Sequence, residues 1–267
     1  MTAASPPLPP ERLNRFARHI VLPELGGAGQ ATLAQARVAL MGVGGIGSPA
    51  LQYLAAAGIG TLVLIDSDVV DETNLQRQTI FTPADIGQSK AACAADWGRG
   101  FDPALTVIAH AERLTPANAA SLLGDVDLVV DGCDNFATRL AVSDACVALG
   151  TPLLSAAVGR FQGQVGAFAG HLDGQACYRC YVGDAFDADD CDTCAADGML
   201  GAMAGWTASF AAMQAIRLLL AETGGKPGGM GDAQWGRLHL LDGLTPGMRS
   251  FAIAADPACK ACSTSAG

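Results

Sequence analysis

Along the chain, short apolar runs alternate with stretches of helical periodicity. VALM (38–41), TLVLI (61–65), LTVIAH (105–110), VDLVVD (126–131) and PLLSAAV (152–158) read as strands. They are nearly continuous in hydrophobic residues, the mark of strands buried on both faces. Between them, Ile46–Ala57, Ser89–Gly98, Pro116–Leu123 and Thr138–Leu149 read as helices. This alternation predicts a Rossmann-like α/β fold, a mostly parallel sheet with helices on both faces. After Gly159 the pattern changes. GQVGAFAG (163–170) alternates around glycine, and RLHLLD (237–242) and Met248–Ile253 follow as strands, so an antiparallel C-terminal extension is expected. Ahead of the first strand, Arg12–Leu33 suits short helices, with Gly26, Gly27 and Gly29 marking a loop.

Composition narrows the class. Half of the 267 residues are hydrophobic and only 16% are charged, which excludes a disordered chain. A net charge of −10 repels phosphate backbones and anionic lipid, so neither nucleic acid nor a membrane is an expected partner. Gly198–Ile216 is a run of 19 residues without a charge, long enough to span a bilayer. It is mostly Gly, Ala and Met, with Leu200, Phe210 and Ile216 the strongly inserting types, and reads as a closely packed buried helix. The N-terminus has no apolar signal region, and six of nine cysteines form C-x-x-C pairs, so a reducing, cytoplasmic setting is expected.

Chemistry enters at GVGGIG (42–47), which follows a strand and opens a helix. Glycines there let a ligand approach the backbone, and the helix N-terminus attracts phosphate. Asp66 ends the next strand, 19 residues after Gly47, where a carboxylate can bond a ribose hydroxyl. Arg77 and Lys90 are rare cations in an acidic chain, placed to offset triphosphate charge. Asp134 follows strand 126–131, where a carboxylate can hold Mg²⁺ between phosphates. A dinucleotide oxidoreductase could use the same glycine loop, but its pyrophosphate needs no such clamp. The pairs Cys177/Cys180 and Cys259/Cys262 have the spacing of a four-thiolate structural zinc site that would staple distant parts of the chain. Cys93, Cys133 and Cys146 fall in apolar patterns and read as packing residues.

Taken in order, R-x-x-R-x-x-x-L-P (15–23), GVGGIGSPALQYLAAAGIG (42–60), D-x-D-x-V-x-x-x-N-L-Q-R-Q (66–78), I-G-x-x-K (86–90), D-x-x-D-N-x-x-T-R (131–139) and G-R-F-x-G-Q-V (159–165) resemble the MoeB/ThiF/HesA family over about residues 12–262. The resemblance implies an ATP-dependent adenylyltransferase. It would activate the C-terminal glycine of a ubiquitin-fold sulfur carrier protein ending in Gly-Gly, for thiamine or molybdenum cofactor synthesis. It also implies roles. Gly45 would lie against the phosphates and Asp66 would hold the ribose. Asn74, Arg77 and Lys90 would bind the triphosphate, and Asp134 with Asn135 would anchor Mg²⁺. Arg18 would reach into the partner's site across a homodimer. The serine that the family places before the asparagine is Thr73 here.

The family pattern also has zinc at the four cysteines. Cys194 matches a cysteine that some members join to the carrier as an acyl persulfide. It sits with Cys191 in an acidic stretch, 184–197, expected to be a mobile loop near the carrier's path; neighbouring carboxylates would disfavour its thiolate. The expected organisation is a disordered tail over 1–10 and one domain over 11–267. Within it, the nucleotide-binding part covers about 37–158 and the carrier-binding and zinc part about 159–262. The sequence stops soon after Cys262, so sulfur is expected from a separate sulfurtransferase or cysteine desulfurase. A catalytically silent zinc-stapled scaffold for ubiquitin-fold partners would have no use for the cationic residues.

Overall fold

The computed structural model describes residues 8–183, 198–222 and 230–263. Strands β1 (Arg37–Met41), β2 (Thr61–Ile65), β3 (Thr106–His110), β4 (Leu128–Asp131) and β5 (Leu153–Gly159) run parallel; β6 (Gln162–Phe168), β7 (Arg237–Asp242) and β8 (Gly247–Ala252) continue the sheet antiparallel. The order across the single eight-stranded sheet is β3-β2-β1-β4-β5-β6-β7-β8. The chain therefore reverses its direction of travel between β1 and β4, which leaves a crevice at their carboxyl ends.

Alternate residues of each central strand enter different cores. Val38, Leu40, Leu62, Leu64, Leu128 and Val130 join one, with helices α3 (Gly26–Gln35), α4 (Gly47–Ala57), α5 (Lys90–Phe101) and the long α9 (Gly201–Glu222). Ala39, Met41, Val63, Ile65 and Val129 join the other, with α6 (Ala119–Leu123), α7 (Phe136–Leu149) and α8 (Tyr178–Val182). The expected α/β sheet, covered on both faces and extended by antiparallel strands, is the observed one. Cys146 is buried, and Cys93 and Cys133 pack against the two cores, as their apolar surroundings predict.

The run at 198–216 is correctly read as a packed helix. Ala204, Ala208, Ala211, Ala212 and Ala215 of α9 are at most 2% exposed. A Cβ on Gly163 of β6 would stand 2.0 Å from the Thr207 hydroxyl, so the small residues set how closely helix and sheet approach. No helix among the described residues is long and apolar enough to cross a membrane.

One element departs from expectation. Gly26, Gly27 and Gly29 lie within α3, not in a loop. Gly26, at φ +61°, supplies the entry, and Gly29 has Leu25 and Leu220 3.3 Å from where its Cβ would be. Tertiary packing overrides the poor helix propensity of glycine. Residues 1–7, the stretch 184–197 and most of the glycine-rich 224–231 lie outside the described residues, as do Cys191 and Cys194.

Ahead of α3, α1 (Pro10–Leu13) and α2 (Ala17–Ile20) are held by a charge clamp. Arg12 donates two bonds of 2.7 Å to Asp102 at the end of α5, and Arg15 lies 3.4 Å from the same carboxylate. The Phe16 ring fills the space beside Gly58, and His19 meets Gln30, which donates to the Ala57 carbonyl. The hydrogen bond from Arg12 outweighs burial and holds the Asp102 carboxyl below its ordinary range. A depressed folded-state value adds stability above the unfolded value near 4, and that stability is lost as pH falls through the folded value. Asp102→Ala should cost about 2 kcal/mol, because it removes two charge-assisted bonds from the half-buried Arg12. Thermal melts from pH 7 to pH 2.5 should show the wild-type advantage shrinking on the acid side; an advantage independent of pH would refute this role for the clamp.

Candidate functional site

Four segments converge at the carboxyl ends of β1, β2 and β4. The first is the loop from β1 into α4. Gly42 bonds the Ile65 carbonyl with φ +77°, in the left-handed region that favours glycine. A Cβ on Gly47 would stand 1.9 Å from the Gly42 carbonyl oxygen, so this turn closes only on glycine. Gly44 and Gly45 stay partly open.

The second segment is Asp66–Asp68. Asp66 accepts the Val43 N–H at 2.7 Å and the Asp68 N–H at 2.8 Å, which fixes its carboxylate beside the glycine loop. Burial raises its pKa, against the pull of those two bonds and of nearby Lys90. Lys90 opens α5 and is 6% exposed; its Nζ lies 3.1 Å from the Asp68 carboxylate. Lys90 is thus a buried cation facing the carboxylates of Asp66, Asp68 and Asp71, with its hydrogen bond to the exposed Asp68.

The third segment, residues 72–78, folds back over the loop. The Asp71 side chain caps the short turn Glu72–Asn74 by accepting from the Thr73 N–H. Arg77 donates to the Thr73 carbonyl at 2.9 Å, and its Cδ lies 3.4 Å from where a Gly45 Cβ would stand. Gln78 covers Gly44 in the same way and is 3% exposed. The side-chain oxygens of Asn74 and Gln78 are buried with no hydrogen-bond partner. A buried acceptor left unpaired is costly unless a ligand or water supplies a donor. The start of α9 backs this turn, with the Gln76 carbonyl 2.2 Å from a Cβ placed on Gly201.

The fourth segment is Gly132–Asn135. Gly132 abuts Gly42 and Ile46, which puts the exposed Asp134 at the rim of the crevice. The Asn135 side chain caps α7, accepting the Thr138 N–H at 2.8 Å, so its oxygen is already engaged within the chain. Beneath this segment lies Arg139, which sequence reasoning passed over. Its Nη1 meets Asp131 at 3.3 Å and Ser155 at 2.9 Å; its Nη2 donates to the Ala156 carbonyl at 2.7 Å and to the Cys133 carbonyl. Arg139 and Asp131 are both buried. The signal was present: Arg139 lies three and seven residues before Val142 and Cys146, on the buried stripe of α7.

Gly45, Asp66, Asn74, Arg77, Lys90 and Asp134 therefore border one crevice. Arg18 does not join them. It is exposed on α2, which packs at the carboxyl end of α4, while the glycine loop opens the amino end. An 11-residue helix, about 16 Å long, lies between.

The cysteines form a second centre. The sulfurs of Cys177, Cys180, Cys259 and Cys262 all lie within 4.8 Å of one another. Three separations are 3.8, 3.5 and 3.4 Å. A tetrahedral Zn–S₄ centre with bonds near 2.3 Å has edges of about 3.8 Å, so this donor set suits zinc. The Asp256 N–H points at the Cys180 sulfur from 3.3 Å. Arg179 grips Asp144 of α7 through two bonds, of 2.6 and 2.7 Å, tying the knuckle to the sheet's helical layer.

Comparison with known proteins places this architecture. In sequence, the chain is similar to the probable adenylyltransferase/sulfurtransferase MoeZ of Mycobacterium tuberculosis, 41% identical over 249 residues, covering 92% of this chain and 62% of MoeZ. It is 37% identical over 255 residues to the sulfur carrier protein adenylyltransferase of Thermus thermophilus, covering 94% of this chain and 91% of that protein. In fold, it is similar to E. coli MccB, with TM-score 0.78 and 19% identity over 96% of this chain and 75% of that one. The ThiF family model matches residues 16–261, and the chain belongs to the ThiF family.

Proposed function

We propose that the chain is an ATP-dependent adenylyltransferase acting on the C-terminal glycine carboxylate of a ubiquitin-fold sulfur carrier protein. The observation that carries this reading is the crevice where Arg77 covers Gly45, Lys90 stands beside Asp68, and Asp134 holds the rim. The names of MoeZ and the Thermus protein support it.

In this reading the backbone of Gly44 and Gly45 takes the phosphates, and Asp66, steadied by two N–H groups, accepts a ribose hydroxyl. A carrier carboxylate oxygen attacks the α-phosphorus. The bond to the bridging oxygen of the β-phosphate breaks, and pyrophosphate leaves with the electron pair. No proton need move, so the enzyme's work is positioning and charge stabilisation by Arg77 and Lys90. Asp134 is the residue that would hold Mg²⁺, since one carboxylate beside phosphate oxygens suits that ion. When bound, the ion offsets charge on the departing pyrophosphate. The position of Arg18, remote from its own glycine loop, supports a homodimer in which it serves the partner's crevice. The four-cysteine centre would hold structural zinc, with no open position for catalytic water. The acyl-adenylate would then take sulfur from a sulfurtransferase or cysteine desulfurase. Cys194 remains the candidate for an acyl-persulfide step.

The first test is carrier-dependent ATP–pyrophosphate exchange. Asp134→Ala should lower the rate at least about 100-fold; exchange at the wild-type rate would sink the assignment. Arg18→Ala and Asp134→Ala should each be nearly inactive. After subunit exchange, an equal mixture should regain about a quarter of wild-type activity, because half the dimers carry one intact site. No regain would place Arg18 in its own chain's site or outside catalysis. Elemental analysis should find about one zinc per chain, and chelation should lower the melting temperature. Purified protein without zinc but with the same melting temperature would exclude the staple.

A further inference from the structure

Gln30 and Gln78 are both buried beside a glycine, and the chain uses them differently. The Gln30 Oε1 meets His19 Nδ1 at 2.9 Å and its Nε2 donates to the Ala57 carbonyl at 2.7 Å, so both ends of that amide are paired. Gln78 is 3% exposed, yet its Oε1 is buried with no hydrogen-bond partner among the described residues. Its Nε2 is the atom nearest to where a Gly44 Cβ would stand, at 3.4 Å, with Cδ behind it at 4.0 Å. The backbone holds the residue there without help from the side chain. The Gln78 N–H donates to the Asn74 carbonyl at 3.0 Å, its carbonyl accepts from the Phe81 N–H at 3.1 Å, and Ile80 and Phe81 sit in the core. A buried amide that ties nothing together weakens a fold, and at the edge of a crevice it calls for a ligand.

We propose that the Gln78 amide binds the α-phosphate of the nucleotide, donating from Nε2 to a non-bridging oxygen of the group under attack. This rests on the adenylyltransferase reading and adds a residue to it. The register follows from the loop. The Val43 N–H is taken by Asp66, the carboxylate assigned to the ribose, so the ribose end of the ligand lies at Val43. Gly44, under Gln78, comes next, and Gly45, under Arg77, follows it. A nucleotide laid along the loop meets them in the order ribose, α-phosphate, outer phosphates. The guanidinium then stands at the phosphates that leave with an added electron pair, where a full positive charge stabilises most. The neutral amide stands at the phosphate that stays, where the need is orientation for in-line attack.

The experiment titrates the full chain with ATP, AMP and pyrophosphate, each with Mg²⁺, in wild type, Gln78→Met and Gln30→Met, and records the melting temperature of each empty protein. Methionine keeps the length of the side chain and removes both polar ends. Gln78→Met should weaken ATP and AMP about tenfold each and leave pyrophosphate within about twofold. Its melting temperature should stay level or rise, because an unpaired buried amide is gone. Gln30→Met should do the reverse, melting lower with nucleotide affinities unchanged. A Gln78→Met chain that melts well below wild type, or does not fold, would show the amide to be structural and overturn the proposal. Unchanged affinity for ATP and AMP would overturn it too, while leaving the adenylyltransferase reading intact. Weakened pyrophosphate with unchanged AMP would place Gln78 at the leaving group and overturn the α-phosphate assignment. A wild type that binds neither ATP nor AMP would remove the adenylyltransferase reading and this assignment with it.

Discussion

A parallel sheet covered on both faces can offer polar chemistry only at the ends of its strands. The central strands here have no free face, since alternate residues of β1, β2 and β4 enter two separate cores. Every group assigned to the crevice consequently lies on a connection leaving a carboxyl end. The reversal of strand order between β1 and β4 brings two such connections together, Gly42–Gly47 and Gly132–Asn135. The remaining pieces, Asp66 and the turn through Arg77, are drawn to the same place by backbone contacts with the glycine loop.

Much of this was legible in the sequence. The runs at 38–41, 61–65 and 126–131 are strands because their apolar residues are buried on both faces of the sheet, with Asp131 tolerated at a strand end where Arg139 meets it. The crevice was legible too, since chemistry confined to strand ends leaves short, dense strings of glycine and charge. What escaped was whatever depends on a distant partner. Gly26–Gly29 look like a loop, but α9 arrives from the far end of the chain and packs on that helix through Leu220. Arg139 looks like one more helical arginine until β4 and β5 supply its acceptors.

The two ends of the chain's framework are secured differently. At the amino end of the sheet, the Arg12–Asp102 clamp and Phe16 hold α1 and α2. At the other margin, the knuckle holds the segment beyond β8. Both attachments are peripheral to the crevice: the first fixes the helix bearing Arg18, and the second ties the segment beyond β8 to α8.

The cysteine pairs also constrain the order in which the chain can assemble. Cys180 and Cys259 are separated by α9, β7 and β8, so closing the knuckle joins the ends of a loop of about 80 residues, whose entropy loss is several kcal/mol. A flexible chain does not meet that cost early. The loop must first be shortened by laying α9 across the sheet and by pairing β7 and β8 onto β6, after which the four sulfurs stand together with little further loss of freedom. The knuckle is therefore a late lock, closing on a nearly finished fold, and its chief effect is on the rate of opening.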